Sequence, residues 1–88
     1  MAIIDPQNQS VLEKWLDESI KQYVSQMDVN LNGGLHDLII GAVEEPLVQM
    51  VLDKTNGNQT QAANILGLNR NTLRKKIKAY RIKCKESP

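Results

Sequence analysis

Apolar side chains recur at helical spacing in two long stretches at the front of the chain and two short ones near its end. Leu12, Trp15, Leu16, Ile20, Tyr23, Val24 and Met27 repeat every three or four residues, which predicts an amphipathic helix over about residues 11–27. Ser10 and Glu13 have the spacing of a capping box and set its expected start. The run DVNLNGG, residues 28–34, is rich in turn formers and ends it. A second, longer helix is predicted over about residues 35–55, closed by Asn56 and Gly57. Leu35, Leu38, Ile39, Ala42, Val43, Leu47, Met50 and Val51 form its main stripe, while Ile40, Val48 and Leu52 lie on other faces. A helix that is apolar on several faces is covered on several sides. In so short a chain, the missing cover is expected from another subunit. Pro46 lies inside this helix, lacks the N–H that would bond Ala42 and crowds that carbonyl, so a kink is expected rather than two separate helices.

The stretch 57–81, GNQTQAANILGLNRNTLRKKIKAYR, predicts a short helix, a tight turn at Gly67 and a second short helix. Ala62 and Ala63 are small enough for another helix to cross closely, and Leu66, Leu68, Leu73 and Ile77 fill the wedge between the two. Gly67 suits the left-handed backbone that commonly follows a helix end, and Asn69 suits the N-cap of the next helix. Two short helices joined by a turn of about three or four residues match the DNA-binding helix-turn-helix, whose second helix lies in the major groove.

Charge changes this picture from a packing motif to a candidate interface. Residues 68–88 hold eight Lys or Arg and one acid, a net of +7, whereas residues 1–67 hold three bases and nine acids, a net of −6. The formal +1 of the whole chain hides this polarity, which is the footprint expected of polyanion binding at one end. On the second short helix Leu73, Ile77 and Tyr80 share one stripe, and Arg70, Asn71, Arg74, Lys75, Lys78 and Arg81 spread over the arc beside and opposite it. Arg70, in the first turn, is the expected base reader, because a guanidinium can bond guanine O6 and N7 together. Lys75, Lys76, Lys78 and Arg74 are expected on backbone phosphates, with Arg74 and Lys75 able to reach base edges as well. Asn58, Thr60 and Thr72 are candidate neutral phosphate ligands near helix N-termini. A basic amphipathic helix also suits an acidic protein groove or a membrane surface, so a protein-interaction dimer stands as an alternative.

Composition narrows the remaining classes. A chain of 88 residues makes one folding unit and buries only about 60 to 65% of its unfolded surface, so a lone monomer would be marginal. With no Phe, one Trp and two Tyr, its core must be aliphatic, and scarce aromatics make RNA stacking the weaker expectation. Cys84 is the only cysteine, which rules out an intrachain disulfide and suits a reducing cytoplasm. Neither a secretory leader nor a membrane span is expected. His36 is the single histidine, Glu44 and Glu45 point in different directions on a helix, and Gly33-Gly34 lacks the lysine of a phosphate-cradling loop. No enzyme activity, metal, cofactor or small-molecule ligand is therefore expected.

Gly57-Asn58-Gln59-Thr60, Ala62-Ala63, Gly67 and the run Asn69-Arg70-Asn71-Thr72-Leu73-Arg74-Lys75-Lys76 resemble the DNA-binding end of the Fis family of bacterial nucleoid-associated proteins. Val43-Glu44-Glu45-Pro46-Leu47 resembles that family's kinked central helix, and the C-terminal motif alone also resembles the DNA-binding modules of NtrC-type activators. The resemblance implies an all-α, four-helix subunit whose two N-terminal helices form an intertwined homodimer core beneath a C-terminal helix-turn-helix. It implies a cytoplasmic protein of the bacterial nucleoid that bends double-stranded DNA, regulates transcription and reads degenerate sites with AT-rich centres. A module of an NtrC-type activator is the alternative. Carried onto matching positions, the DNA contacts fall on Asn58, Thr60, Asn69, Arg70, Thr72, Arg74, Lys75, Lys76 and Lys78. Gln61 and Ala79 stand where basic residues occur in the family. The expected organisation is a short flexible arm at 1–9, dimerisation helices at 10–56, the helix-turn-helix at 57–82 and a tail at 83–88.

Overall fold

A computed structural model describes residues 6–30 and 33–84, which form four helices and no strand: α1 (Pro6–Gln26), α2 (Leu35–Lys54), α3 (Gln59–Leu66) and α4 (Arg70–Ala79). The chain divides into two units, Met1–Leu35 and His36–Pro88, so that α1 stands in the first and nearly all of α2 joins α3 and α4 in the second.

The start of α1 corrects the capping-box expectation. The helix begins at Pro6, whose fixed φ and missing N–H suit a first helical position, and Ser10 therefore lies inside it. Glu13 accepts instead from Gln9 Nε2 at 3.0 Å, one turn back along the helix surface. Of the arm expected at 1–9, residues 6–9 are helical and 1–5 lie outside the described residues, as do 85–88 of the expected tail. Leu16 and Met27 are half-buried, but Val11, Leu12, Trp15, Ile20, Tyr23 and Val24 are exposed, so the predicted stripe exists without cover in a single chain. After Gln26 the backbone turns at Asp28, whose side chain accepts from the Asn30 N–H at 2.9 Å. Gly33 and Gly34 follow at φ 83° and 85°.

Helix α2 runs unbroken through Pro46, as continuous periodicity predicted. Its burial corrects the reading of its faces. Val48 and Leu52, read as lying off the main stripe, are each only 1% exposed and pack within the chain against Ala62, Ala63, Leu73 and Ile82. Of the side chains read as the main stripe, Leu35, Leu38, Val43, Leu47 and Met50 are exposed, as is Ile40 off it, while Ile39 is half-buried and Val51 packs at the edge of the core. Periodicity shows that α2 has two apolar faces but not which of them the rest of the chain occupies.

All three helices of the second unit end in one hydrogen-bond pattern. Beyond α2 the Gly57 N–H reaches Leu52 O at 2.8 Å, beyond α3 the Leu68 N–H reaches Ala63 O at 2.9 Å, and beyond α4 the Ile82 N–H reaches Ile77 O at 2.9 Å. Each is the six-to-one bond of a Schellman motif, with a left-handed residue just before the donor. That residue is Asn56 at φ 55°, Gly67 at φ 72° and Arg81 at φ 54°. Gly67 adopts this backbone cheaply, whereas Arg81 holds it against its own Cβ. The last motif turns Ile82 back into the core, where its burial extends the fold beyond the predicted helix.

The candidate nucleic-acid interface

The turn between α3 and α4 consists of Gly67, Leu68 and Asn69, within the predicted length. Ala62 and Ala63 are fully enclosed, and the absence of larger side chains there lets α4 approach α3 until Leu73, also fully enclosed, closes the contact. Leu66, Ile77 and Tyr80 pack at the edge of the same cluster. The predicted stripe of α4 is thus its buried side.

Both helix starts are capped by asparagine. Asn58 Oδ1 accepts from the Gln61 N–H at 3.0 Å, and Asn69 Oδ1 accepts from the Asn71 N–H at 2.8 Å. These two candidate contacts therefore have a structural duty: each satisfies one of the backbone donors that a helix start leaves open. Their oxygens are engaged within the protein, which leaves the amide NH₂ as the donor with which either side chain would meet a phosphate.

Arg70, Asn71, Thr72, Arg74, Lys75 and Lys78 on α4 are exposed, as are Thr60 on α3 and the two capping asparagines. Arg74, Lys75, Ile77 and Lys78 border an open cleft of about 330 Å³ with Gln59 of α3. Three cations thus line a surface next to a helix start, where backbone N–H groups already favour an anion. Among the described residues, no acid lines this cleft.

Lys76 lies differently. Its Nζ is 2.9 Å from Glu44 Oε1 on α2, and the Tyr80 hydroxyl donates to the same oxygen at 2.6 Å. The Tyr80 hydrogen bond, then the Lys76 ammonium, holds the Glu44 carboxyl below its ordinary pKa, and the same bond to Glu44 raises that of Tyr80. Sequence reasoning missed this cluster. The partners are 32 and 36 positions apart, and only the packing of α4 on α2 brings them together. Past α4, the Gln49 side chain bonds the Lys83 backbone twice, donating to its carbonyl at 2.8 Å and accepting from its N–H at 3.1 Å. Cys84, within the tail expected at 83–88, is half-buried, with Sγ 3.7 Å from Gly57 O.

Two short helices, a three-residue turn that opens on left-handed Gly67, an enclosed contact between them and cations on the free face of the second define a helix-turn-helix protein. The chain belongs to the Fis family. A family profile described as bacterial regulatory protein, Fis family, matches residues 39–80. The chain is 43% identical over 84 residues to a protein named DNA-binding protein Fis from Haemophilus influenzae (strain PittEE), an alignment covering 91% of this chain and 84% of that protein. It is 44% identical over 84 residues to the protein of the same name from Proteus mirabilis (strain HI4320), covering 91% and 85%. The Aliivibrio fischeri (strain MJ11) protein of that name is 42% identical over 76 residues, covering 86% and 78%.

Proposed function

We propose that this protein is a homodimeric, DNA-bending regulator of transcription that acts in the bacterial nucleoid and reads degenerate sites with AT-rich centres through the major groove. The observation that supports it most is the division of α4, with Leu73 enclosed on one side while Arg70, Arg74, Lys75 and Lys78 stand exposed on the other. The names of the relatives support the same ligand.

Arg70, at the start of α4, bonds a guanine edge and supplies discrimination. Arg74 and Lys75 sit one turn further along, where they reach either bases or phosphates. Lys78, Thr60, Thr72 and the amide groups of Asn58 and Asn69 contact phosphates and fix the register of α4 on the duplex. A second copy covers the exposed apolar residues of α1 and α2, and two recognition helices then address one duplex together. Closely set helices compress the minor groove between them, so that deformable AT-rich centres are favoured at base pairs the protein never touches.

The test is fluorescence anisotropy with a duplex selected for tight binding from a random pool and a scrambled duplex of equal length, run across a salt series. Affinity falls steeply with salt, and Arg70→Ala lowers the selected-to-scrambled ratio more than it lowers binding to the scrambled duplex. An absence of saturable binding at low salt overturns the DNA reading. An unchanged ratio in Arg70→Ala removes that residue from its role as base reader. Sedimentation of the free protein and its complex checks the dimer, and a monomer in both states overturns it.

A further inference from the structure

Lys76 belongs by position to the basic run expected on DNA, yet it is only half-exposed and its ammonium is already engaged. Lys76 and Tyr80 stand one helical turn apart on α4, and both donate to a single oxygen of Glu44 on α2. The side chains of the ion pair are only 29% and 24% exposed, so this is a partly covered contact rather than a loose surface pair. Gly41 lies almost one turn before Glu44, and a Cβ there would stand 3.6 Å from Tyr80 Cε1. That is ordinary van der Waals contact, so the tyrosine ring lies against α2 at this turn with its hydroxyl at the carboxylate.

The core and this cluster restrain α4 in different ways. Burial of Leu73 among Val48, Leu52, Ala62 and Ala63 holds the helix in place, but apolar attraction is non-directional and tolerates small rotations about the helix axis. Hydrogen bonds weaken steeply with misalignment, so two of them converging on one carboxylate oxygen set the rotation that burial leaves soft. The cluster also accounts for an acid on α2 so near a basic recognition helix. Glu44 is neutralised within the protein, and drawing Lys76 away to a phosphate would leave a carboxylate facing a polyanion.

We propose that Lys76 is a positioning residue, which with Tyr80 clamps α4 to Glu44 and so sets the angle at which Arg70 and Arg74 meet the base edges, rather than neutralising a phosphate. The proposal rests on the DNA reading of α4. It separates Lys76 from the preceding lysine, Lys75, which stands exposed on the free arc.

The experiment compares the intact chain with Lys75→Met, Lys76→Met and Tyr80→Phe, on the same selected and scrambled duplexes, across a salt series. Lys75→Met removes an exposed cation and flattens the dependence of log K on log salt by about 0.9 on both duplexes, as the loss of one phosphate contact does, whether or not the side chain also touches a base. Lys76→Met keeps the wild-type slope while the selected-to-scrambled ratio falls several-fold. Tyr80→Phe changes no charge at neutral pH, yet lowers the ratio in the same direction with the slope untouched. The proposal is overturned if Lys76→Met flattens the slope as Lys75→Met does. It is equally overturned if Lys76→Met and Tyr80→Phe both leave the ratio at the wild-type value. Wild-type binding that is insensitive to salt, with no change of slope in Lys75→Met, is a different failure: it overturns the DNA reading of α4, and the clamp's role with it.

Discussion

Leu73 on α4 is fully enclosed by the chain that carries it, whereas Trp15 on α1 leaves 63% of its surface open, although each sits on a clear apolar stripe. The helix-turn-helix end and its share of α2 complete a small core of Val48, Leu52, Ala62, Ala63, Leu73 and Ile82 without help. Most large apolar side chains of the front helix and of the outer stripe of α2 stay exposed, Met50 at 67%. Apolar stripes left exposed on a helix are the kind of surface that marks an interaction site when they are large. The contrast separates two regions, one that completes a core of its own and one whose apolar stripes stay open.

The largest effect on this contrast is expected at the enclosed end. Leu73→Ala removes the side chain that joins α4 to α3 and α2, and should lower stability by about 2–5 kcal/mol. Thermal melting by circular dichroism measures it, and a loss below about 1 kcal/mol would mean that the core collapses to fill the gap. At the open end, Trp15→Ala should weaken self-association by at least about 2 kcal/mol, roughly thirtyfold, if the tryptophan anchors the contact between copies. Sedimentation over a concentration series reads this, and an unchanged dissociation constant would place the dimer contact elsewhere.

Two smaller effects sharpen the account of how α4 is held. Arg81→Gly relieves a left-handed backbone at the end of α4 and should stabilise by about 0.5–1 kcal/mol, the relief being offset in part by the freer unfolded chain. That is a rise in melting temperature of a few degrees, and a fall would show that the arginine side chain contributes more than its backbone costs. The Glu44 cluster should add a contribution that depends on pH. The folded pKa of Glu44 is depressed, so its contribution is present in full above its ordinary value of 4.5 and is lost as pH falls through the folded value. The folded pKa of Tyr80 is raised, so its share is present below its unfolded value near about 10 and is lost at higher pH. Glu44 is only partly covered, and the solvent it still meets screens the pair and keeps its part below about 1 kcal/mol. Melting of Glu44→Gln against wild type down the acid range checks the sign: the difference between them should shrink as pH falls.

The elements that local rules govern are legible in the sequence. The three-residue turn, left-handed Gly67, the Asn69 cap, the small pair Ala62 and Ala63 and the stripe through Leu73 all follow from interactions spanning a few residues, and the fold contains each of them. The start of α1 is ambiguous by the same rules, because a capping-box spacing competes with a proline that begins a helix equally well, and Pro6 prevails. Left-handed Arg81 is not legible at all. Its type disfavours that backbone, which persists because Ile82 must return to the core.

Sequence by itself determined that the chain is helical, that its last third is a basic helix-turn-helix, and which side of α4 is free to meet a ligand. Those conclusions rest on periodicity, capping and charge, which act over one or two turns. Tertiary structure alone decided which face of α2 the helix-turn-helix occupies, and that Lys76, alike in kind to its neighbour Lys75, turns inward to Glu44. The Lys76 contact joins residues 32 positions apart, a separation at which no local pattern distinguishes one apolar face, or one lysine, from the next.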